Sequence, residues 1–169
     1  MNAKTDFSRR TVSISLLSVV GIGLIPVAST SAGAVQLPLV RISRDASCGC
    51  CALWADHLQG AGFPVEIINR RDLPSLKTKL GIPGDLFSCH TAEVGGYVIE
   101  GHVPASAIVR LLENKESERG LAVPRMPVGS PGTESDDPKR WPVYDVIAYG
   151  TFGRRVFARY RGPTRIARA

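Results

Sequence analysis

Leu37-Pro38-Leu39-Val40-Arg41-Ile42-Ser43 leads through a short loop to Cys48-Gly49-Cys50-Cys51, and these two segments set the arrangement of the later elements. The first has the apolar, β-branched character of a strand, with its proline near the start, where a ladder tolerates it. A helix is predicted to begin around the cysteines and to run to about Ala61, burying Trp54, Leu58 and Ala61. The motif therefore lies between a first strand and a first helix.

The elements after this helix predict an α/β fold. A second strand is expected at Phe63–Asn69, and Asp72 is the expected N-cap of a second helix. Two short apolar runs on either side of Gly95-Gly96 form a hairpin, and Pro104 leads into a third helix. The order β–α–β–α–β–β–α is that of a thioredoxin-like three-layer sandwich.

The rest of the chain predicts additions to this sandwich. Five prolines make Leu121–Pro142 a proline-rich loop, and Tyr144–Tyr149 with Val156–Tyr160 form an extra C-terminal β-hairpin. We expect one thioredoxin-like, metal-binding domain over residues 35–161, followed by a basic tail at 162–169 that is frayed.

Residues 1–34 have the pattern of an export signal peptide. A basic start that ends at Arg9-Arg10 precedes the apolar run Val12–Ile25, and Ala32-Gly33-Ala34 is an A-x-A cleavage site. This run is shorter than the ~20 residues of a membrane-spanning helix, so no stable membrane anchor is expected. The arginine pair also fits a twin-arginine signal, and both export routes stay open. The predicted location is the periplasm.

An exported protein meets an oxidising compartment, where free thiols are lost to disulfides. Its cysteines are therefore expected either to pair or to hold a metal. The chain has four, and Cys89 is the one outside the motif. In a thioredoxin-like fold the chain entering the third strand packs beside the first strand–helix loop. The Cys89 sulfur is therefore expected within ~10 Å of the motif, since metal–sulfur bonds are near 2.3 Å.

Two kinds of thiol chemistry fit this arrangement. Cys48 and Cys51 have the C-x-x-C spacing of a dithiol redox centre, with Cys48 as nucleophile and Cys51 as resolving thiol. Four converging thiols exceed what dithiol exchange needs, and soft thiolates select Cu(I), Zn or iron–sulfur chemistry. We favour a polynuclear Cu(I) site formed by Cys48, Cys50, Cys51 and Cys89. Zinc is less favoured, because the adjacent Cys50 and Cys51 seldom both reach one ion; a zinc-stabilised protein-binding module is the third alternative.

Three further residues are candidate neighbours of this site. His90 follows Cys89 directly and is the best candidate for adjusting the metal or its access. His102 either approaches the site from the strand–helix turn or caps the hairpin. Met126 carries a thioether, which suits Cu(I) but also suits filling a gap in apolar packing. His57 is expected to be an ordinary surface histidine.

The charge of the chain gives little reason to expect nucleic acid as a partner. The formal net charge is +6, and much of the positive charge lies in residues 154–168. No recognition motif or aromatic–basic platform accompanies these arginines, so a solvated hairpin and tail account for them.

Several of these segments together resemble the CopG family of periplasmic thioredoxin-like copper-binding proteins, whose domain has long been catalogued as one of unknown function. The similarity lies in Cys48–Cys51, in Ser88–Ala92, in Gly95–Pro104 and in the stretch Gly120–Gly132. It covers nearly all of Leu37–Tyr160. The family often has glycine and methionine where this chain has Arg125 and Thr133.

The resemblance implies a polynuclear copper–thiolate centre on Cys48, Cys50, Cys51 and Cys89 and a role in copper resistance. The family has also been proposed to interconvert Cu(I) and Cu(II). The expected protein sequesters copper ions, passes them to another periplasmic copper protein, or cycles their oxidation state. A periplasmic thiol–disulfide oxidoreductase that uses Cys48 and Cys51 is the alternative.

Overall fold

A computed structural model of the protein describes residues 36–166, so the signal peptide predicted at 1–34 lies outside the described part. Eight strands form one mixed sheet in the order β2-β1-β3-β4-β5-β6-β7-β8. The strands are β1 Val40–Arg44, β2 Val65–Asn69, β3 His90–Val94, β4 Tyr97–Glu100, β5 Gly120–Ala122, β6 Val143–Gly150, β7 Gly153–Arg161 and β8 Thr164–Ile166. The helices are α1 Gly49–Gly60, α2 Leu73–Lys79 and α3 Ala105–Asn114.

The first four strands confirm the thioredoxin-like order predicted from the sequence. β1 is parallel to β2 and antiparallel to β3, and β3 is antiparallel to β4. In this register Arg44, at the end of β1, lies opposite His90, at the start of β3. The loop after β1 and the segment that enters β3 therefore meet at the same end of these two neighbouring strands. This is where the two cysteine-bearing segments converge.

Apolar side chains fill both faces of the sheet, which gives the molecule three layers. On one face α1 and α3 pack through Trp54, Leu58, Ile108 and Leu111, all fully buried. On the other face Ile82, Leu86, Val98, Ala122 and Tyr149 form a smaller core, and Leu80 at the end of α2 packs against it. Successive residues of β4 point to opposite faces of the sheet, so Ile99 packs into the first core and Val98 into the second.

A short strand begins the segment that was predicted to be a proline-rich loop. β5 runs parallel to β4 and antiparallel to β6, and thus connects the thioredoxin-like part to the C-terminal hairpin. Three residues are too few to show a period of their own. Gly120 is required here, because a Cβ atom at this position would lie 1.7 Å from the Val98 carbonyl oxygen.

The expectation of a frayed tail was wrong for the residues that the structure describes. β8 pairs with β7, and it lies beyond the predicted domain end at residue 161. Gly162 turns the chain with φ of 57°, and its carbonyl accepts a hydrogen bond from Tyr144 Oη at 2.7 Å. Ala61 was also predicted wrongly as buried, since α1 ends at Gly60 and Ala61 is exposed.

Within residues 36–166, no helix combines the length and apolar character needed to cross a bilayer.

Candidate metal centre

The motif cysteines occupy the N-terminal end of α1. Cys48 is the N-cap, and Cys50 and Cys51 lie in the first turn. Cys51 is fully buried on the side of the helix that carries Trp54, while Cys48 and Cys50 are partly exposed. A disulfide joins Cys48 to Cys51, which are three residues apart. Such residues lie on one side of a helix end, so this pair can close without displacing Cys50.

The Cys50 sulfur lies at the centre of the sulfur atoms. It is 3.5 Å from Cys48 Sγ, 3.9 Å from Cys89 Sγ and 3.5 Å from Met126 Sδ. The expected approach of Cys89 to the motif is thus observed, at a distance well inside the ~10 Å limit set by metal–sulfur bonds. Met126 is 50% exposed, so it does not fill a gap in the core. Its thioether joins the thiols instead.

Cys89 lies between two imidazole rings. Its Sγ is 3.2 Å from His90 Nδ1 and 3.0 Å from His102 Nε2. His102 Nδ1 lies 2.8 Å from the Pro131 carbonyl oxygen, which can only accept, so this nitrogen carries the proton. His102 Nε2 therefore presents a lone pair, to which the Cys89 thiol donates. His90 Nδ1 then donates to the same sulfur.

Burial keeps these three groups neutral. Removal from water, and secondarily the nearby Cys50, raise the pKa of the Cys89 thiol to about 12. Burial lowers the pKa of His90 well below its ordinary value, with further contributions from His102 and Lys77, and burial also lowers the pKa of His102. A metal ion that binds Cys89 must therefore displace the thiol proton, which frees the lone pair of His102 Nε2 beside the sulfur, while the lone pair of His90 is on Nε2.

His90 has a buried nitrogen without a partner. Its ring packs against Trp54 at 4.3 Å between centroids, and Trp54 donates its indole N–H to the Val103 carbonyl at 2.9 Å. Within residues 36–166, His90 Nε2 has no hydrogen-bond partner. Trp54 therefore serves as core packing, as predicted, and fixes the ring of His90 behind Cys89.

The proline-rich loop closes over the site. Gly132 has φ of 84°, and a Cβ atom there would lie 2.7 Å from the Trp54 nitrogen and 2.9 Å from the Cys50 oxygen. Only glycine lets the loop approach the first turn of α1 this closely. The loop then supplies the Pro131 carbonyl to His102 and the thioether of Met126. The sequence did not predict the contribution of Pro131, because it comes from a main-chain atom.

The donors form two groups that share Cys89. The ligand atoms of Cys48, Cys50, Cys51 and Cys89 lie within 4.8 Å of one another, and so do those of Cys89, His90 and His102. Thiol, imidazole and thioether groups are soft or intermediate ligands, and they fit copper or zinc rather than magnesium or calcium. The arrangement is compatible with a thiolate metal site and with a redox dithiol, since Cys48 and Cys51 form a disulfide while Cys50 and Cys89 are free thiols.

His57 does not join the site and is not an ordinary surface histidine. Its Nε2 accepts a hydrogen bond from the Ala105 backbone N–H at 3.1 Å, which ties α1 to the start of α3. Burial lowers the pKa of this half-buried ring.

Comparison with known proteins agrees with the fold and the site. A family described as a protein of unknown function, DUF411, matches residues 86–133, which include Cys89, His90, His102 and Met126. Two solved structures are described as copper resistance protein CopG, forms 1 and 2. Both are 40% identical to this chain with a TM-score of 0.69. Form 1 covers 75% of this chain and 100% of its own, and form 2 covers 74% and 99%. No curated protein matches the chain.

The fold and the site define a thioredoxin-like protein in which a cluster of soft metal donors surrounds the first strand–helix loop. At 40% identity over the whole length of the form 1 structure, the chain belongs to the CopG family.

Proposed function

We propose that the protein binds copper(I) as its cargo through the thiolates of Cys48, Cys50, Cys51 and Cys89. The observation that carries this proposal is the convergence of four cysteine sulfurs from two distant segments within 4.8 Å. Four soft donors in one place are the ligands that copper(I) prefers, and bridging sulfurs allow more than one ion to bind. The description of the two similar structures as copper resistance proteins supports the same metal.

Loading of all four thiols requires reduction of the Cys48–Cys51 disulfide. The disulfide takes up two electrons and two protons from a dithiol reductant, which is itself oxidised to a disulfide, and two thiols result. Copper(I) then displaces protons from the sulfurs, and the protons pass to solvent. Closure of the same disulfide would remove two ligands. The pair can therefore control how much copper the site holds.

The neighbouring side chains complete the proposed site. His102 Nε2 offers a lone pair beside Cys89 once the thiol proton is displaced, His90 Nδ1 lies against the same sulfur, and Met126 offers its thioether beside Cys50. Because Met126 is half exposed, it stands where an ion would enter or leave. We assign to these three residues the adjustment of the site and of its access, and to the whole a role in sequestering copper, passing it to another periplasmic copper protein, or cycling it between Cu(I) and Cu(II).

Metal analysis of anaerobically purified protein tests this function, with thiols counted in the same samples. We expect several copper ions per reduced chain, and fewer ions when the Cys48–Cys51 disulfide is intact. Cys89→Ser should lose most of the copper. Phe152→Ser, at a side chain 92% exposed in the turn between β6 and β7, is the matched control and should bind as the unaltered chain does. Zinc in place of copper, or no metal in the reduced chain, would contradict the assignment.

The disulfide favours a second candidate function, thiol–disulfide exchange. Cys48 is partly exposed and Cys51 fully buried, which matches an attacking thiol and a resolving thiol. A Cys50→Ser, Cys89→Ser double variant retains only this pair. If that variant reduces insulin as fast as the unaltered protein, while neither chain retains copper, exchange rather than copper binding is the activity.

The periplasmic location is part of the same proposal and is supported by the signal pattern of residues 1–34. N-terminal sequencing of protein recovered from the periplasm should begin at Val35. A full-length N-terminus in the cytoplasmic fraction would contradict export.

A further inference from the structure

A buried ion pair lies on the α2 side of the sheet, across from the packing of Trp54 and His90. Lys77 Nζ is 2.5 Å from Glu100 Oε1, and the two side chains are 5% and 0% exposed. Withdrawing two charges from water costs about as much as their attraction returns, so such a pair contributes little net stability. Its significance lies in the groups that it holds.

The Glu100 carboxylate holds both residues that flank Cys89 and His90. Its Oε1 accepts the backbone N–H of Ser88 at 2.6 Å, and its Oε2 accepts the hydroxyl of Thr91 at 2.6 Å. Lys77 Nζ also donates to the Thr91 hydroxyl, at 2.9 Å. One carboxylate therefore fixes the residue before and the residue after the Cys89-His90 pair. Lys77 fixes the carboxylate.

The same network reaches the proline-rich loop. The Ser88 hydroxyl donates to the Arg125 carbonyl at 2.5 Å, and Arg125 directly precedes Met126. Ser88 thus donates its backbone N–H to Glu100 and its hydroxyl to the segment that carries Met126. Of the three segments that bring sulfur to the site, two are joined through this serine.

We propose that Glu100, with Lys77 as its counter-ion, is the positioning residue of the metal centre. By holding Ser88 and Thr91, it sets the place of the Cys89 sulfur relative to Cys50. This inference rests on the proposed copper function, although the placement of Cys89 can be measured without metal. Glu100 itself lies on the far side of the sheet and does not enter the donor cluster.

Two double variants separate positioning from simple removal of charge. Lys77→Met, Glu100→Gln and Lys77→Met, Glu100→Leu both abolish the ion pair without leaving a lone buried charge. Gln keeps an oxygen that can accept the Ser88 N–H, and Leu does not, while the two side chains have similar volume. A difference between these variants therefore reports the hydrogen bond to Ser88.

The first measurement is the alkylation rate of Cys89 without copper. It uses a Cys50→Ser background with the Cys48–Cys51 disulfide intact, so that Cys89 is the only free thiol. The Leu variant should react about tenfold faster, because an unpaired Ser88 N–H lets the segment open locally. The Gln variant should stay within about twofold of its parent. Equal rates in the two variants would overturn the positioning role.

The second measurement is copper retained against a competing chelator, with all four cysteines present and reduced. The Leu variant should lose copper and the Gln variant should keep it. If the unaltered protein itself binds no copper, the proposed function fails, and the alkylation rates still decide the role of Glu100. If the Leu variant does not unfold cooperatively, Thr91→Val takes its place, since it preserves the shape of the side chain but removes the hydroxyl and with it the contacts to Glu100 and Lys77. An unchanged Cys89 rate in that variant would equally overturn the inference.

Discussion

The Cys89 thiol and the two imidazoles beside it can each lose or gain a proton, yet burial holds all three neutral. The thiol is protonated because its pKa is raised, and the imidazoles are unprotonated because theirs are lowered. In the metal-free protein these three groups therefore offer the lone pairs of the two neutral imidazoles and one proton, on the Cys89 thiol, that a metal ion could displace. Burial is the largest cause of all three pKa shifts, and the nearby Cys50, His102 and Lys77 add to those of Cys89 and His90.

Acid should destabilise the metal-free protein. The folded-state pKa values of His90 and His102 lie below the unfolded value of about 6.5, so the unfolded chain binds more protons at lower pH. Stability is therefore fully present above pH ~6.5 and is lost as the pH falls below it, by at most about 1.4 kcal/mol per pH unit for each histidine. Urea unfolding at pH 7.5 and 5.5 measures this loss. His90→Gln should reduce it, and an unchanged pH dependence would contradict the assignment.

Arg125 occupies a backbone conformation that glycine adopts more easily. Its φ is 64°, in the left-handed region, at a position where the family often has glycine. Arg125→Gly should therefore raise the free energy of unfolding by up to about 1 kcal/mol, the relieved strain being partly offset by the greater freedom of the unfolded chain. Arg125→Ala retains the Cβ atom and should give no such gain. Equal urea midpoints for the two variants would show that the strain is negligible.

At the scale of elements, the site exists because three segments end in the same place. The N-terminus of α1 supplies three cysteines, the start of β3 supplies Cys89, and the proline-rich loop supplies Met126 and the Pro131 carbonyl. The first two meet because β1 and β3 are neighbours in the sheet. The loop reaches them because Gly132 permits close contact with α1.

Gly132→Ala should disturb this contact. The added Cβ meets the backbone of α1 at 2.7 Å, and neither side can yield cheaply, so a loss of about 1–3 kcal/mol is expected. Gly81→Ala is the matched control, because Gly81 has a similar φ of 74° but a Cβ there meets nothing within 4 Å. Chemical denaturation of both variants isolates the steric part. Equal losses would mean that the close approach contributes nothing.

At the scale of the molecule, the sheet extends well past the thioredoxin-like part. β5 to β8 continue it without a break, and Tyr144, Tyr160 and Phe157 from this extension pack into the same core as α1 and α3. The C-terminal half is therefore integral to the domain rather than an appendage.

Truncation after Arg161 should measure the contribution of the last strand. It removes β8 and also the Gly162 carbonyl, which accepts a hydrogen bond from the Tyr144 hydroxyl. We therefore expect the free energy of unfolding to fall by about 1–3 kcal/mol. Truncation after Ile166 retains both and serves as the control. If the two truncated chains unfold at the same urea concentration, β8 adds no stability.

The parts of the structure that could be predicted are those with their own pattern in the sequence. The thioredoxin-like order, and with it the meeting of Cys89 with the motif, followed from strands and helices long enough to show periodicity. β5 and β8 have three residues each and show none. The support from Pro131 is a main-chain contact, which no side-chain pattern reveals. The role of Glu100 was not predicted, because its partner Lys77 lies on another element and their contact has no pattern in the sequence.

If the protein binds copper as proposed, the sharing of Cys89 between two groups of donors affects the order in which the ions bind. An ion held by the thiols and an ion held beside the imidazoles would draw on the same sulfur, and removing its proton for one prepares it for the other. Metal occupancy of the two donor groups should then rise together. Native mass spectrometry during a copper titration should therefore find metal-free and fully metal-loaded chains, with few partly loaded ones. A protein built in this way would release its cargo as a batch, not ion by ion.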